Sequence, residues 1–195
     1  MTTKPYRIIE LVLLGIYSIE LAMKIVESGY QPDLLVALWR GGTPIGIAMQ
    51  EVFEYLGMPC QHFAIRSSSY EGLDQQGAIR LWGMELLQPF VETSSHVLLV
   101  DDVFDSGRTM QAVINHLHAM TGGPYTPYIK LATPWFKPTS NVTQLIPDFY
   151  LYETPDWLVF PHELRDLSDE QMLAKPGVAV QTRKLLELQR KRKNQ

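Results

Sequence analysis

Residues 97–110 run Val-Leu-Leu-Val-Asp-Asp-Val-Phe-Asp-Ser-Gly-Arg-Thr-Met, and no other stretch narrows the fold as much. Val97 to Val100 is an unbroken apolar run of strand length, the pattern of a strand covered on both faces, and it stops at two carboxylates, Asp101 and Asp102. After Val103 and Phe104, residues Asp105, Ser106, Gly107, Arg108 and Thr109 make a small polar turn. Met110, Val113, Ile114 and Leu117 then recur at helical spacing. The turn therefore sits at the carboxyl end of a strand and the amino end of a helix. Unpaired N–H groups and the helix dipole favour an anion there, and a phosphate suits the position.

A second stretch repeats the arrangement. Leu34 to Trp39 is another buried-strand pattern, and it ends in Arg40, Gly41, Gly42, Thr43 and Pro44. Paired glycines allow a tight turn with exposed N–H groups, Arg40 adds a fixed cation, and Pro44 suits the first turn of a helix over about residues 44–56. Alone, this turn is weak evidence for a site and reads more readily as a plain strand-to-helix connection. Further strands are expected at Gln61 to Ile65 and Tyr128 to Ala132. Apolar strands alternating with helices predict a parallel, three-layer α/β sheet, in which ligands sit at the carboxyl ends of the strands. Both suspicious turns fall at that edge.

The remaining segments are less specific. Residues 8–28, with Leu14, Tyr17, Leu21, Met23, Ile25 and Val26, read as a buried helix ending near Gly29. Residues 66–76 are polar and hydroxyl-rich, the composition of a long surface loop that serves either as a lid or as a plain connection. Residues 77–90 mix strand and helix patterns. Trp135, Phe136, Lys137 and Pro138 set a lysine between aromatics and a proline, and by residue type alone this is a snorkelling surface lysine. Phe149, Tyr150, Tyr152, Trp157 and Phe160 concentrate aromatic area that is either core or a sandwich for a flat ligand. Residues 168–192 read as charged helical segments, broken by Pro176 and Gly177, with little visible chemistry. His116 and His118, two apart on a helix, are poor joint metal ligands.

Composition bounds the function classes. With 195 residues, 46% hydrophobic, the chain can bury a sizeable core in one domain. A net charge of -4 argues against a nucleic-acid surface, and the basic run Arg190 to Lys193 reads as a solvated end. A single cysteine, Cys60, excludes an internal disulfide and fits a reducing cytoplasm. Glu10, Glu20 and Lys24 interrupt the most apolar stretch, so no membrane span or signal peptide is expected.

The segment Val97 to Thr109, an apolar strand, two acids, an apolar pair and then Asp-Ser-Gly-Arg-Thr, resembles the phosphoribosyl-diphosphate signature of type I phosphoribosyltransferases. The likeness extends over most of residues 30–163 and is closest to bacterial and archaeal 6-oxopurine enzymes for hypoxanthine, guanine and xanthine. Trp39, Arg40, Gly41 and Gly42 are similar to the family's diphosphate loop, which implies a cis peptide at Trp39–Arg40. Ser69 and Tyr70 stand where the catalytic lid carries a Ser-Tyr pair. Phe136, Lys137 and Pro138 resemble the lysine segment, and Trp157 to Glu163 the purine-stacking segment.

The resemblance implies a single domain over 1–195, with a core of about 30–135 and a base-binding hood of about 136–166 to which the N-terminus contributes. It implies transfer of a phosphoribosyl group from 5-phosphoribosyl 1-diphosphate to a purine, with Mg2+. It assigns residues 105–109 to the 5'-phosphate and residues 39–42 to the diphosphate. Asp101 and Asp102 take the ribose hydroxyls, Asp102 with Glu163 the metal, and Asp105 the purine proton. Lys137 takes the 6-oxygen, Trp157 the ring face, and the Leu158 backbone the purine edge. A homodimer or homotetramer, without nucleic-acid or membrane partners, is expected. Two positions depart from the pattern: Ser106 replaces a commoner threonine, and His162 stands where tryptophan is frequent. The alternatives are a sensor of phosphoribosyl diphosphate or nucleotide on the same fold, and a transferase for another base. A donor at Lys137 suits a 6-oxo group and not a 6-amino group.

Overall fold

The computed structural model describes residues 6–69, 79–121, 127–165 and 167–193. Within these, the elements in chain order are β1 (Tyr6–Ile8), α1 (Leu11–Glu27), β2 (Leu34–Trp39), α2 (Gly42–Tyr55), β3 (Gln61–Ser69), β4 (Ile79–Trp82), a 3-10 turn at Met84–Leu86, α3 (Gln88–Val91) and β5 (His96–Val100). There follow β6 (Val103–Phe104), α4 (Arg108–Thr121), β7 (Tyr128–Phe136), β8 (Phe149–Glu153), β9 (Trp157–Val159), α5 (Asp169–Leu173) and α6 (Ala179–Lys193). No helix among the described residues is long and apolar enough to cross a membrane. The chain forms two compact units, Gly15–Pro155 and Met1–Leu14 with Asp156–Gln195.

The larger unit is built on a seven-stranded sheet of order β4-β3-β2-β5-β7-β6, with β8 also paired to β7. The β2–β3, β2–β5, β5–β7, β6–β7 and β7–β8 pairs are parallel, and β3–β4 is antiparallel. The parallel, layered sheet expected from the apolar runs is thus present. Strands β2 and β5 are apolar at every central position because both faces are covered. On one face Leu34, Val36, Leu38, Val97, Leu99 and Leu131 pack with Leu87 and Val91, and with Met110, Val113 and Leu117 of α4. On the other face Gly46 of α2 lies so close that an added Cβ would meet the Ala37 and Leu35 side chains at 2.9 and 3.2 Å. Burying each large aliphatic side chain contributes about 1.5–3 kcal/mol, which fixes the register that positions the strand ends.

Several segments differ from the sequence reading. α1 is not buried all round: Leu14, Leu21 and Ile25 are inside, whereas Ile16, Ile19 and Met23 face outward. β3 runs four residues beyond Ile65, because Arg66 to Ser69 pair with Ile79 to Trp82, and Arg66 stacks its guanidinium 4.8 Å from the Trp82 ring centre. Residues 66–69 of the expected loop are therefore strand, and residues 70–76 lie outside the described residues. β7 likewise extends four residues past Ala132, through Phe136.

The smaller unit pairs β1 with β9 in parallel, Tyr6 opposite Trp157 and Ile8 opposite Val159, and adds α5 and α6. Helix α5 opens with a reciprocal capping box: the Gln171 N–H donates to the Ser168 hydroxyl while the Ser168 N–H donates to the Gln171 side chain.

Candidate functional site

The two acids that end the apolar run occupy a gap in a ladder. β5 pairs with β7 as far as Val100 opposite Ala132, and β6 resumes on the same strand with Val103 opposite Trp135. That common register sets Pro134, which has no N–H to donate, opposite Asp102. The Asp101 N–H still donates to Ala132 O at 3.2 Å, and the regular pairing resumes only at Val103. The Asp102 N–H donates to Asp101 Oδ1 at 2.9 Å, and the Gly42 N–H also serves the Asp101 carboxyl. Burial, and then the neighbouring Asp102 charge, hold the Asp101 carboxyl well above the usual carboxylate range.

Strand β2 lies beside β5, so its terminal loop falls on these acids. The Trp39–Arg40 peptide is cis, as the resemblance implies. Arg40 O accepts from the Thr43 N–H and from its hydroxyl, closing the turn into α2. The loop presses on the β5 end: a Cβ at Gly41 would overlap the Asp102 carboxylate, and one at Gly42 would overlap the Val100 carbonyl oxygen. Only glycine allows this approach.

The second loop follows β6. Gly107 is at φ +77°, and a Cβ there would run into Phe104 and the Asn141 and Thr143 side chains. Those two residues were not singled out from the sequence. Asn141 Oδ1 accepts from the Thr143 N–H at 2.9 Å, an Asx turn whose Asn-x-Thr signature is readable in principle, and the Val142 N–H donates to Ser106 O. Residues 141–143 thus back the 105–109 turn. α4 begins at Arg108, so the turn lies at a helix amino end, as the apolar periodicity predicts.

Pairing of β6 with β7 also delivers Lys137. Phe104 lies opposite Phe136, the Lys137 N–H donates to Phe104 O, and the next side chains meet: Lys137 Nζ is 2.9 Å from Asp105 Oδ2. Lys137 is 5% exposed, so the snorkelling-surface reading is wrong. The strand extends far enough to carry this lysine inside. A buried ammonium needs a partner, and Asp105 supplies it.

Ser69 ends β3 opposite Ile79, and Tyr70 lies outside the described residues. In the smaller unit, Trp157 is half exposed at the start of β9, and Leu158 is buried. Glu163 Oε2 accepts from the Phe160 N–H at 3.0 Å, so one of its carboxylate oxygens serves its own turn. The His162 ring stacks on Phe160, 13° from coplanar. No cluster of three or more His, Cys, Asp or Glu side chains suited to a metal occurs among the described residues.

A glycine turn at a helix amino end, a glycine loop seated on paired acids, and a buried lysine on a third acid define an α/β protein with an anion-suited edge at the carboxyl ends of a parallel sheet. The Phosphoribosyl transferase domain family matches residues 13–169, and the chain belongs to that family. The hypoxanthine-guanine phosphoribosyltransferase of Mus spretus is 31% identical over 122 residues, covering 59% of this chain and 54% of that protein. The chain thus spans about half the length of the curated relatives it matches. The fold is shared with a purine phosphoribosyltransferase from Pyrococcus horikoshii Ot3, with TM-score 0.63, 23% identity, and 84% of this chain and 98% of that one covered. It is shared too with a hypothetical protein from Neisseria gonorrhoeae with bound ppGpp, with TM-score 0.66, 17% identity, and 96% and 99% covered.

Proposed function

We propose that the chain transfers the 5-phosphoribosyl group of 5-phosphoribosyl 1-diphosphate to a 6-oxopurine, giving a nucleoside 5'-monophosphate and diphosphate. The observation that carries this reading is the buried Lys137 ammonium on Asp105 at the phosphate turn. A purine nitrogen forms the bond to carbon 1 of the ribose, and the carbon–oxygen bond to diphosphate breaks with its electron pair. The purine proton passes to Asp105, the general base. Lys137 leaves the carboxylate and donates to the purine 6-oxygen, so one pair of side chains both balances charge within the fold and reads the base.

The N–H groups of residues 105–109, with the Ser106 and Thr109 hydroxyls and Arg108, hold the 5'-phosphate, and Trp39, Arg40, Gly41 and Gly42 hold the diphosphate. Asp101 and Asp102 accept from the ribose hydroxyls, and the negative charge shared by the pair favours an oxocarbenium-like transition state. Trp157 stacks on the purine and the Leu158 backbone meets its edge, while Ser69 and Tyr70 belong to a lid that excludes water.

Two adjacent carboxylates, one held above its usual range by burial and then by the charge of the other, offer the oxygen donors that a hard divalent cation takes, and Mg2+ is the expected cofactor. Asp102 would hold it and Glu163 would assist. When bound, the metal supplies charge stabilisation to the departing diphosphate. Assembly with further copies of this chain is supported by an apolar hollow of about 420 Å³ on α1 and α2, lined by Ile19, Met23, Val52, Tyr55 and Leu56. The single free cysteine supports a cytoplasmic setting.

A second reading, a nucleotide-responsive regulator without turnover, is favoured by the ppGpp-bound Neisseria gonorrhoeae structure, whose fold covers nearly all of this chain. A panel of hypoxanthine, guanine, xanthine, adenine and uracil with the donor and Mg2+ separates the two. Nucleotide is expected from 6-oxopurines only, with Asp105→Asn lowering turnover by about 10²- to 10⁴-fold while donor binding is kept. No turnover with any base, together with nucleotide binding, selects the regulator.

A further inference from the structure

Lys175, in the segment where the sequence shows little chemistry, is 4% exposed. A buried ammonium is costly unless its donors are used, and here they converge on one turn. Lys175 Nζ donates to Phe160 O at 2.6 Å, to Pro161 O at 3.4 Å and to Glu163 O. The same turn is closed from within: the Glu163 N–H donates to Phe160 O, and the Phe160 N–H donates to the Glu163 carboxylate. Burial pulls the Lys175 ammonium below the ordinary lysine value, against a smaller opposing pull from Glu163.

The lysine is delivered by a fixed element. Ser168 and Gln171 cap the start of α5, Met172 is buried, the Lys175 N–H returns to Met172 O, and Arg190 of α6 reaches Asp169 at 3.4 Å. What the cage holds is the end of β9, since Phe160 follows Val159 directly. β9 pairs only with the three-residue β1 among the described residues, and a two-stranded ribbon this short has little rigidity of its own. An apolar side chain would fill the same space without the desolvation cost, whereas three converging hydrogen bonds from one cation fix direction as well as volume.

We infer that Lys175 is a positioning residue for the purine subsite, acting through the 160–163 turn to set the Trp157 ring and the Leu158 backbone. This rests on the reading that a purine lies against those two residues.

The test is Lys175→Met in protein labelled with 5-fluorotryptophan, which reports on Trp39, Trp82, Trp135 and Trp157, the last assigned by its loss in Trp157→Phe. The expected result is a shift or broadening of the Trp157 fluorine line with the Trp82 and Trp135 lines unmoved. With it comes a rise of about tenfold in the KM for hypoxanthine, while the KM for the donor stays within about twofold. An unmoved Trp157 line, broadening of all four lines alike, or an unchanged hypoxanthine KM overturns the inference. If the methionine variant does not fold, Lys175→Arg takes its place. It keeps the charge but spreads its N–H groups over a planar fork where the lysine donates all three from one atom, so the same split is expected at smaller size and its absence overturns the inference. A wild-type protein that uses no purine fails the functional reading itself, and the substrate role falls with it. The Trp157 line still decides whether Lys175 anchors β9.

Discussion

Asp101 and Asp105 are both carboxylates of one short segment, yet their surroundings divide them. Asp105 has a cation at 2.9 Å, whereas Asp101 has a second carboxylate beside it and little water. For Asp101 the neutral form is the one the fold prefers. Its contribution to stability is complete below the ordinary carboxyl value near 4 and is lost as pH rises through the raised one. Asp101→Asn removes that loss while keeping an acceptor for the Asp102 N–H. At pH 8 the variant is expected to unfold about 3 °C higher, equivalent to about 1 kcal/mol, with the gain gone at pH 4. Thermal unfolding at both pH values checks this, and a lower midpoint at pH 8 would refute it. The acids themselves were readable because a strand that ends in charge is conspicuous. Lys137 was reached only through the family resemblance, because no local pattern tells a snorkelling lysine from one carried inward by a longer strand.

At the scale of elements, the apolar runs 34–39 and 97–100 and the helices after them could be placed from the sequence, since burial on both faces leaves no polar position to blur the pattern. The extension of β3 through Ser67 and Ser68 could not, because those hydroxyls are tolerated by an antiparallel partner that lies beyond a long connection. Nor was the contact between the 39–42 loop and Asp102 visible before β2 and β5 were known to be neighbours. That contact makes a specific forecast. In Gly41→Ala the Asp102 side chain must turn away, so the fold survives while the KM for the donor rises about tenfold or more. Steady-state kinetics with varied donor, beside a melting curve, measure both, and an unchanged donor KM counts against the loop's role.

At the scale of the whole molecule, the sequence led to one sheet with bulk at both chain ends, but the tail chemistry around Lys175 depends on carbonyl groups, which no sequence pattern displays. The outward face of α1 has Ile16, Ile19 and Met23 at spacings of three and four, the last two beside Tyr55 at the end of α2 and the following Leu56. In a chain of 22.3 kDa, this face is expected to be covered by a second copy. Tyr55→Asp should lower the mass seen by sedimentation toward that of a single chain, and a wild-type protein already at 22.3 kDa removes the expectation.

The gap between β5 and β6 also limits how such a chain can change over time. Because β7 grips the backbone on both sides of Asp101 and Asp102, the distance from the acid pair to Asp105 is counted out in whole residues. One residue lost or gained there would turn Val103 and Phe104 to opposite faces of the sheet and carry Asp105 away from Lys137. Single substitutions can retune this site by degrees, but changes of length cannot, and its spacing behaves as a fixed gauge.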